Sequence, residues 1–278
     1  MIIFNKKNDL LNFLNNERKN KSVGFVPTMG GLHSGHLQLV KLSLKECSIT
    51  ICSIFINPTQ FNNINDFKKY PNTLSEDLSQ LKQIGCEVVY NPEIEDLYEE
   101  NEKAKKFNFG SLTKYMEGQF RPGHFDGMAT VVEKFFNIIK PTKAFFGYKD
   151  LQQLQIVKTL AKQMKINTKI IGVPTIREHN GLAKSSRNNL LSESEKNKAA
   201  LIYKSLNFCL KNKESGINKL KSYIKNLFDQ QKDINLEYIE FVEVKNMQPI
   251  SKWKGKNKNA ICIAAVINNV RLIDNIIL

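Results

Sequence analysis

Two of the chain's four histidines, His33 and His36, lie in the segment 27–36, which reads PTMGGLHSGH. A β-prone run precedes this segment and an amphipathic run follows it, which predicts a strand, a turn and the start of a helix. Gly30 and Gly31 would allow positive φ angles or the close approach of a ligand. A helix N-terminus offers unpaired N–H groups to phosphate, and the imidazoles could add donors. Taken alone, however, so short a match favours an ordinary turn whose histidines only cap the helix.

Cationic and hydroxyl side chains follow two later predicted strands. Lys149 comes just after a strand predicted at 142–146, where a positive charge could stabilise phosphate charge as it develops. Ser185, Ser186 and Arg187 lie in a polar segment beyond the next strand, and there the hydroxyls could donate to phosphate while the arginine binds it bidentately. The alternatives are a surface lysine and a solvated linker.

A further polar group follows the apolar run at 48–57. This nearly continuous apolar run is typical of a buried parallel strand. Asn57 and Gln60 come at its end, in the sequence NPTQF, and open α/β sheets bind ligands beyond the carboxyl ends of their strands. Both side chains are therefore candidates for ligand contact, although a plain Asn-Pro turn would explain them equally well.

The segment 118–127, GQFRPGHFDG, places Arg121, His124 and Asp126 among three glycines and a proline. Such a backbone could fold tightly around an anionic substrate. Because a helix is predicted at 128–139, Asp126 is the expected N-cap.

Strands and helices alternate up to residue 174, which predicts an α/β fold with a Rossmann-like, doubly wound parallel sheet over residues 1–174. The rest of the chain, 175–278, lacks this alternation. It has two predicted helices, at 193–211 and at about 216–228, and then strands, which indicates a smaller α+β domain.

Composition indicates a soluble globular protein, with 41% hydrophobic residues and no apolar run near the ~18 residues that a membrane span needs. The five cysteines are scattered and are expected to be reduced thiols. The initial apolar run, 1–4, is too short for the core of a signal peptide, so a cytoplasmic location is expected.

The formal net charge of +14 raises the possibility of a nucleic-acid partner. Most of this charge is lysine spread along the chain beside asparagines, so we expect no nucleic-acid binding. The acidic cluster at 95–100 is typical of a solvated face, and no metal site built from protein ligands is predicted.

Five of these segments together resemble the pantothenate synthetases, the pantoate-β-alanine ligase family of the nucleotidyltransferase superfamily. In chain order they read PTMGGLHSGH, FINPTQF, FRPGHFDGMATVV, FGYKDLQQL and VPTIREHNGLAKSSRN. The first and last are shared in outline by the wider superfamily, whereas the middle three are more specific. The resemblance covers nearly the whole of the first predicted domain.

The resemblance implies roles for individual residues. Gln60 and Gln153 would bind pantoate, with Gln60 also contributing to the β-alanine site. The catalytic residues would be His33, His36, Lys149 and Arg187. The ATP site would be lined by Met29, Gly30, Gly31, Leu32, His33, Ser34, Gly35, His36, Gly147, Tyr148, Lys149, Asp150, Ile176, Lys184, Ser185, Ser186 and Arg187.

Three positions depart from the family's usual pattern. Gly31 and Tyr148 stand where alanine and glutamate are frequent, and Lys184 stands where an apolar residue is common. None of these changes removes an expected catalytic residue, and Lys184 would add charge near the phosphates.

The implied reaction is the ATP-dependent condensation of pantoate with β-alanine through a pantoyl adenylate, releasing AMP and pyrophosphate. ATP would be a substrate, Mg²⁺ would sit on its phosphates, and the protein would be a homodimer. Two alternatives remain at this stage: another adenylyltransferase of the same superfamily, and a basic nucleic-acid-binding protein.

Overall fold

The computed structural model describes residues 1–61, 67–68, 70–256 and 258–278. The strands are β1 (Ile2–Phe4), β2 (Val23–Thr28), β3 (Ile49–Ile54), β4 (Val88–Tyr90), β5 (Lys143–Gly147), β6 (Lys169–Val173), β7 (Ile234–Glu243), β8 (Asn259–Ile267) and β9 (Val270–Ile277). The helices are α1 (Lys7–Glu17), α2 (Ser34–Glu46), α3 (Leu74–Gln83), α4 (Ile94–Leu97), α5 (Glu117–Phe120), α6 (His124–Ile139), α7 (Leu151–Gln163), α8 (Glu193–Ala199), α9 (Leu201–Lys211) and α10 (Ile217–Asp229). Short 3₁₀ turns include Pro58–Gln60, Tyr148–Asp150 and Ser186–Leu190.

Contacts within the chain divide it into two compact units, each built from several segments. The first unit comprises Met1–Phe109, Arg121–Gly147 and Ile156–Val173, and the second comprises Gly110–Phe120, Tyr148–Gln155 and Pro174–Leu278. The predicted domains, 1–174 and 175–278, stay a prediction, because compactness does not show which segments fold independently.

The first unit contains a six-stranded parallel sheet with the order β1-β4-β3-β2-β5-β6. β2 pairs with β3 from Val23 to Thr28 and with β5 on its other side. The strand order therefore reverses at β2, and open α/β sheets bind ligands at the carboxyl edge of such a reversal. The predicted α/β class is confirmed.

Apolar side chains cover both faces of this sheet, which explains why its strands are almost continuously hydrophobic. Adjacent residues of a strand point to opposite faces. Val26 of β2 belongs to a buried cluster with Val40 of α2. Its neighbour Phe25 packs edge-on against Phe135 and Phe136 of α6, with ring centroids 5.5 and 6.4 Å apart.

Helix α6 begins earlier than predicted. Its N-cap is Gly123, whose φ of 82° lies in the left-handed region, so the prediction that Asp126 caps the helix is wrong. A glycine adopts this φ without strain and can turn the chain into the helix at that point. Asp126 lies in the first turn, where its carboxylate accepts from the Phe107 N–H at 3.1 Å and pairs with Lys106 at 2.9 Å.

The second unit contains the antiparallel sheet β7-β8-β9. Its core joins apolar residues of α9 and α10, such as Leu206 and Ile224, to Phe241 and Ile263 of the sheet. The single helix predicted at 193–211 is interrupted at Ala200, between α8 and α9. This unit has the α+β character expected from the sequence.

Gly127 lets α6 approach the turn Pro58–Gln60 closely. A Cβ atom at this position would overlap the Thr59 carbonyl oxygen and lie 2.7 Å from the Gln60 Cα atom. Because both are backbone atoms, Gly127→Ala should force the helix and the turn apart and lower the free energy of unfolding by about 1–3 kcal/mol. Urea denaturation measures this loss.

Gly255→Ala is the matched control, because the nearest atom to its Cβ would be a flexible Lys258 methylene at 3.8 Å. An equal loss of stability in both variants would show that the close approach at Gly127 is not the cause.

Candidate functional site

The segment after β2 forms a turn that leads into α2. Gly30 and Gly31 both have positive φ, 80° and 60°. His33 is the N-cap of α2, and its Nδ1 atom accepts from the Gly35 N–H at 3.1 Å. The His33 and His36 rings lie with their centroids 4.1 Å apart. The capping role considered for the histidines is thus real for His33, and it places both imidazoles together at the positive end of a helix.

The carboxylate of Asp77 holds this turn. Asp77 is only 1% exposed, and its two oxygens accept from the backbone N–H groups of Leu32 at 2.7 Å and Gly31 at 2.9 Å. A third bond, at 3.3 Å, comes from the Thr73 hydroxyl. Sequence reasoning misses Asp77. The available signal is an acidic residue on the stripe of α3 that also contains the buried Leu81.

The turn after β3 positions Gln60 beside the same segment. Gln60 is buried, its side-chain oxygen accepts from Asn57 at 3.1 Å, and its amide nitrogen lies 2.7 Å from the Met29 sulfur. Two predicted site residues, one for ATP and one for pantoate, are therefore in contact within the first unit.

The side chain of Asn57, a candidate for ligand contact, makes hydrogen bonds to other groups of the protein. Its amide group donates to Gln60 and to the Gly127 carbonyl, and its oxygen accepts from the Thr59 hydroxyl and the Tyr98 hydroxyl. Burial raises the pKa of Tyr98 to about 12, so its hydroxyl keeps the proton that it donates to Asn57. Asn57 thus fixes the turn that holds Gln60.

His124 brings the glycine-rich segment against Gln60. Its Nε2 atom lies 3.0 Å from the Arg121 guanidinium, and its Nδ1 atom lies 2.8 Å from the Gln60 carbonyl oxygen. A guanidinium can only donate, so Nε2 accepts and Nδ1 carries the proton given to the carbonyl. A cavity of about 260 Å³ lies beside them, with Lys103 and Lys106 also in its wall. Asp126, which pairs with Lys106, lines the same cavity, so its wall carries charges of both signs.

The second unit carries the predicted residues from Tyr148 onward, whereas Gly147 ends β5 in the first unit. Lys149 lies in the 3₁₀ turn Tyr148–Asp150, with its ammonium 3.7 Å from the Asp150 carboxylate and its side chain 20% exposed. Gln152 is buried and bonds to the backbone of Leu112, while the next residue, Gln153, is half-buried. Gln152 thus has a structural role, whereas Gln153 is the predicted pantoate ligand.

The segment with the two serines follows a small hairpin closed by a bridge between Arg177 and Ala183. The Lys184 N–H donates to the Ile176 carbonyl at 2.9 Å, which joins two predicted ATP-binding residues. The Lys184 ammonium also pairs with Glu178 at 2.6 Å, so its charge is partly balanced within the protein. Ser185 caps the 3₁₀ turn Ser186–Leu190 by accepting from the Arg187 N–H at 3.3 Å.

Two other kinds of feature are absent from the described residues. Across these ranges no three histidine, cysteine, aspartate or glutamate side chains are grouped so as to hold a metal ion. In the same part of the chain, no helix has both the length and the apolar character that a membrane crossing requires.

Residues 2–277 match the family model of pantoate-beta-alanine ligase. The chain belongs to the pantoate-beta-alanine ligase family. It is 45% identical to the pantothenate synthetase of Flavobacterium psychrophilum over 99% of both chains, and 47% identical to that of Azobacteroides pseudotrichonymphae over 93% of this chain and 92% of the relative.

Solved structures of the same family share the fold. Pantothenate synthetase from Thermus thermophilus superposes with a TM-score of 0.92 at 33% identity, covering 99% of each chain. Pantoate-beta-alanine ligase from Francisella tularensis, whose crystals hold β-γ ATP and β-alanine, superposes with a TM-score of 0.83 at 38% identity, covering 100% of this chain and 97% of that one. These findings confirm the predicted family, the fold class and the assignment of this chain as a ligase that joins pantoate to β-alanine.

Within this ligase, we expect Asp77 to stabilise the turn that contains Gly31 and Leu32. Asp77→Ala leaves the Gly31 and Leu32 N–H groups without their acceptor, which we expect to lower the free energy of unfolding by about 1–3 kcal/mol. Amide hydrogen exchange at both positions should quicken. Exposed Glu76, one residue earlier on α3, supplies the control variant Glu76→Ala. Unchanged exchange at Gly31 and Leu32 in the Asp77 variant would contradict the role.

Proposed function

We propose that this chain forms a pantoyl adenylate from pantoate and ATP and then transfers the pantoyl group to β-alanine. The observation that carries the proposal is the contact between Gln60 and Met29 at 2.7 Å, because it joins the expected pantoate ligand to the expected ATP-binding turn. The complex of the Francisella tularensis relative with β-γ ATP and β-alanine supports the same substrates here.

The first step is attack of a pantoate carboxylate oxygen on the α-phosphorus of ATP. A P–O bond forms to the carboxylate as the bond to pyrophosphate breaks. His33 and His36, at the N-terminus of α2, would donate to phosphate oxygens, and Lys149 and Arg187 would stabilise the charge that develops on them. Gln60 and Gln153 would hold pantoate in line for the attack.

In the second step the β-alanine amine attacks the acyl carbon. The C–N bond forms as the C–O bond to AMP breaks, and the amine's surplus proton passes to solvent. The cavity of about 260 Å³ beside Gln60 is lined by Lys103, Lys106 and Asp126, and its lysines would attract the β-alanine carboxylate. His124 and Arg121 would hold the Gln60 backbone in place during both steps.

Cysteine chemistry offers no competing covalent route. Burial raises the pKa of the Cys86 thiol to about 11 and that of Cys209 to about 12, and it also raises the pKa values of Cys47, Cys52 and Cys262. A thiol attacks as its thiolate, so these residues are poor nucleophiles near neutral pH.

Mg²⁺ would enter with the triphosphate, as part of the ATP substrate. A homodimer, a cytoplasmic location and the lack of a nucleic-acid partner stay predictions of the sequence.

Lys149→Ala tests the first step. We expect pantoate-dependent pyrophosphate release to fall by roughly two orders of magnitude or more, because a charge aimed at the developing negative charge is lost. Release is measured with ATP and pantoate, with and without β-alanine. Lys162→Ala, an exposed lysine of α7, should keep the wild-type rate. Near-normal release by Lys149→Ala would contradict its role, and turnover that needs a nucleotide acceptor would contradict the proposed reaction.

Gln60→Ala tests substrate assignment. We expect KM for pantoate to rise by roughly 10-fold or more, with a smaller change in KM for ATP, since a hydrogen-bonding side chain is lost at the proposed pantoate position. Steady-state kinetics with each substrate varied in turn separates the two effects. Gln163→Ala, at the exposed end of α7, is the control. A rise confined to KM for ATP would show that Gln60 belongs to the nucleotide site.

A further inference from the structure

We propose that Asp274 and Asn275 of β9 are positioning residues that hold two nucleotide-binding segments of the second unit in place. Asn275 would fix the turn Tyr148–Asp150, and Asp274 would fix the hairpin that precedes Lys184–Arg187. The inference rests on the proposed function, since it is that function which assigns both segments to ATP. It adds two residues that the sequence motifs do not contain.

Asn275 supplies the first anchor. Its side chain is 6% exposed, and its amide nitrogen donates to the Tyr148 and Lys149 carbonyl oxygens, each at 2.8 Å. Both amide protons are therefore used on two consecutive carbonyls. Fixing two neighbouring peptide planes limits the backbone at Lys149, and with it the direction in which the Lys149 side chain leaves the turn.

Asp274 supplies the second anchor. Its carboxylate is 3% exposed and accepts two bonds from the Arg177 guanidinium, at 2.5 and 3.1 Å. Arg177 also donates to the Gly181 carbonyl at 3.2 Å and lies 3.9 Å from the centre of the Tyr203 ring. These contacts join Arg177, at the bridge that closes the hairpin, to the hairpin turn at Gly181 and to Tyr203 of α9. The carboxylate therefore fixes the base from which Lys184–Arg187 extends.

One strand can serve both segments because adjacent side chains of a strand point in different directions. The two anchors are also joined to each other, since an Asp274 oxygen accepts from the Asn275 N–H at 2.8 Å. Burial raises the pKa of Asp274, while the bonds from Arg177 and the nearby charge of Lys149 oppose that rise. The acid therefore faces two cations, one that it pairs with and one whose turn its neighbour holds.

Arg177 is one of few arginines in the chain, and it lies in a segment whose sequence looks functional. The structure engages its guanidinium in the hairpin and with Asp274. Arg177 therefore has a structural role, and its place in a motif reflects the support that it gives to the proposed ATP-binding segment.

The test compares Asn275→Ala with Asn259→Ala. Asn259 is a matched control, since it is 3% exposed, lies on the same sheet, and donates to two loop carbonyls, those of Lys254 and Gly255. Asn275→Ala loses two donated bonds, and Asn259→Ala loses two donated bonds together with the bond that its oxygen accepts from the Lys254 N–H, so the control removes at least as many contacts. We expect pantoate-dependent ATP–pyrophosphate exchange to fall roughly 10- to 100-fold in kcat for Asn275→Ala and to stay within about 2-fold for Asn259→Ala. KM for pantoate should change little in either.

Two further measurements cover the other outcomes. If Asn275→Ala folds poorly, the isosteric Asn275→Asp replaces it. Its rate of pantoate-dependent ATP–pyrophosphate exchange should fall at least as far, because a carboxylate oxygen then faces the two carbonyl oxygens. In the wild-type enzyme, amides 149–151 should exchange hydrogen slowly without ligand, and fast exchange there would overturn the inference.

Lys149→Ala is measured in parallel. If it retains the wild-type rate of ATP–pyrophosphate exchange, the proposed role of Lys149 fails, and if the wild-type enzyme shows no pantoate-dependent ATP–pyrophosphate exchange, the proposed function fails. If Lys149→Ala loses ATP–pyrophosphate exchange while the Asn275 variants keep the rate of Asn259→Ala, only the positioning role of Asn275 fails. For the second anchor, Asp274→Asn should raise KM for ATP several-fold, and Asp233→Asn, which removes an exposed ion pair, should not. Equal KM values in these two variants would overturn that part.

Discussion

Parallel pairing of β2 with β3 on one side and β5 on the other is the constraint on which the proposed ligand site depends. Because these strands run in the same direction, their last residues lie at one edge of the sheet; these are Thr28, Ile54 and Gly147. The strand order reverses at β2. Each strand end must then be followed by a turn, whose polar groups need partners. In the first unit those turns carry the His33–His36 pair and Gln60, the residues proposed to bind ATP and pantoate, and open α/β sheets bind ligands at this edge.

Buried polar side chains keep these turns rigid. Asp77 binds two backbone N–H groups after β2, Asn57 makes the turn after β3, and Asn275 binds two carbonyls in the second unit. A hydrogen bond contributes only about 0.5–1.5 kcal/mol net, but leaving a buried partner unsatisfied costs about 1–3 kcal/mol. The penalty for leaving a buried group unsatisfied therefore stabilises these turns more than the net free energy of each hydrogen bond does. Groups fixed in this way need no reorganisation when charge develops in the transition state.

The sequence motifs predict candidate substrate-binding residues, but they do not predict the residues that support the turns carrying them. Motif spacing placed His33, Gln60 and Lys149 after strand ends, and alternation of elements predicted the parallel sheet. Asp77 was not singled out because its role depends on a contact across 46 positions, and Asn275 because its partners lie 126 and 127 positions away. The N-cap at Asp126 was wrong because a positive φ at Gly123 starts α6 earlier. Asn57 was a candidate for ligand contact with a plain turn as the equal alternative, and the fold shows its side chain bonded to Tyr98 and Gly127.

The central chemical claim is that a pantoate carboxylate oxygen attacks the α-phosphorus of ATP. The most direct measurement uses pantoate labelled with ¹⁸O in its carboxylate, incubated with ATP, Mg²⁺ and β-alanine, followed by mass spectrometry of the nucleotide product. The account predicts AMP that carries one ¹⁸O atom, because the oxygen that attacked phosphorus leaves with AMP when the amide forms. Unlabelled AMP, or ADP together with labelled inorganic phosphate, would contradict it.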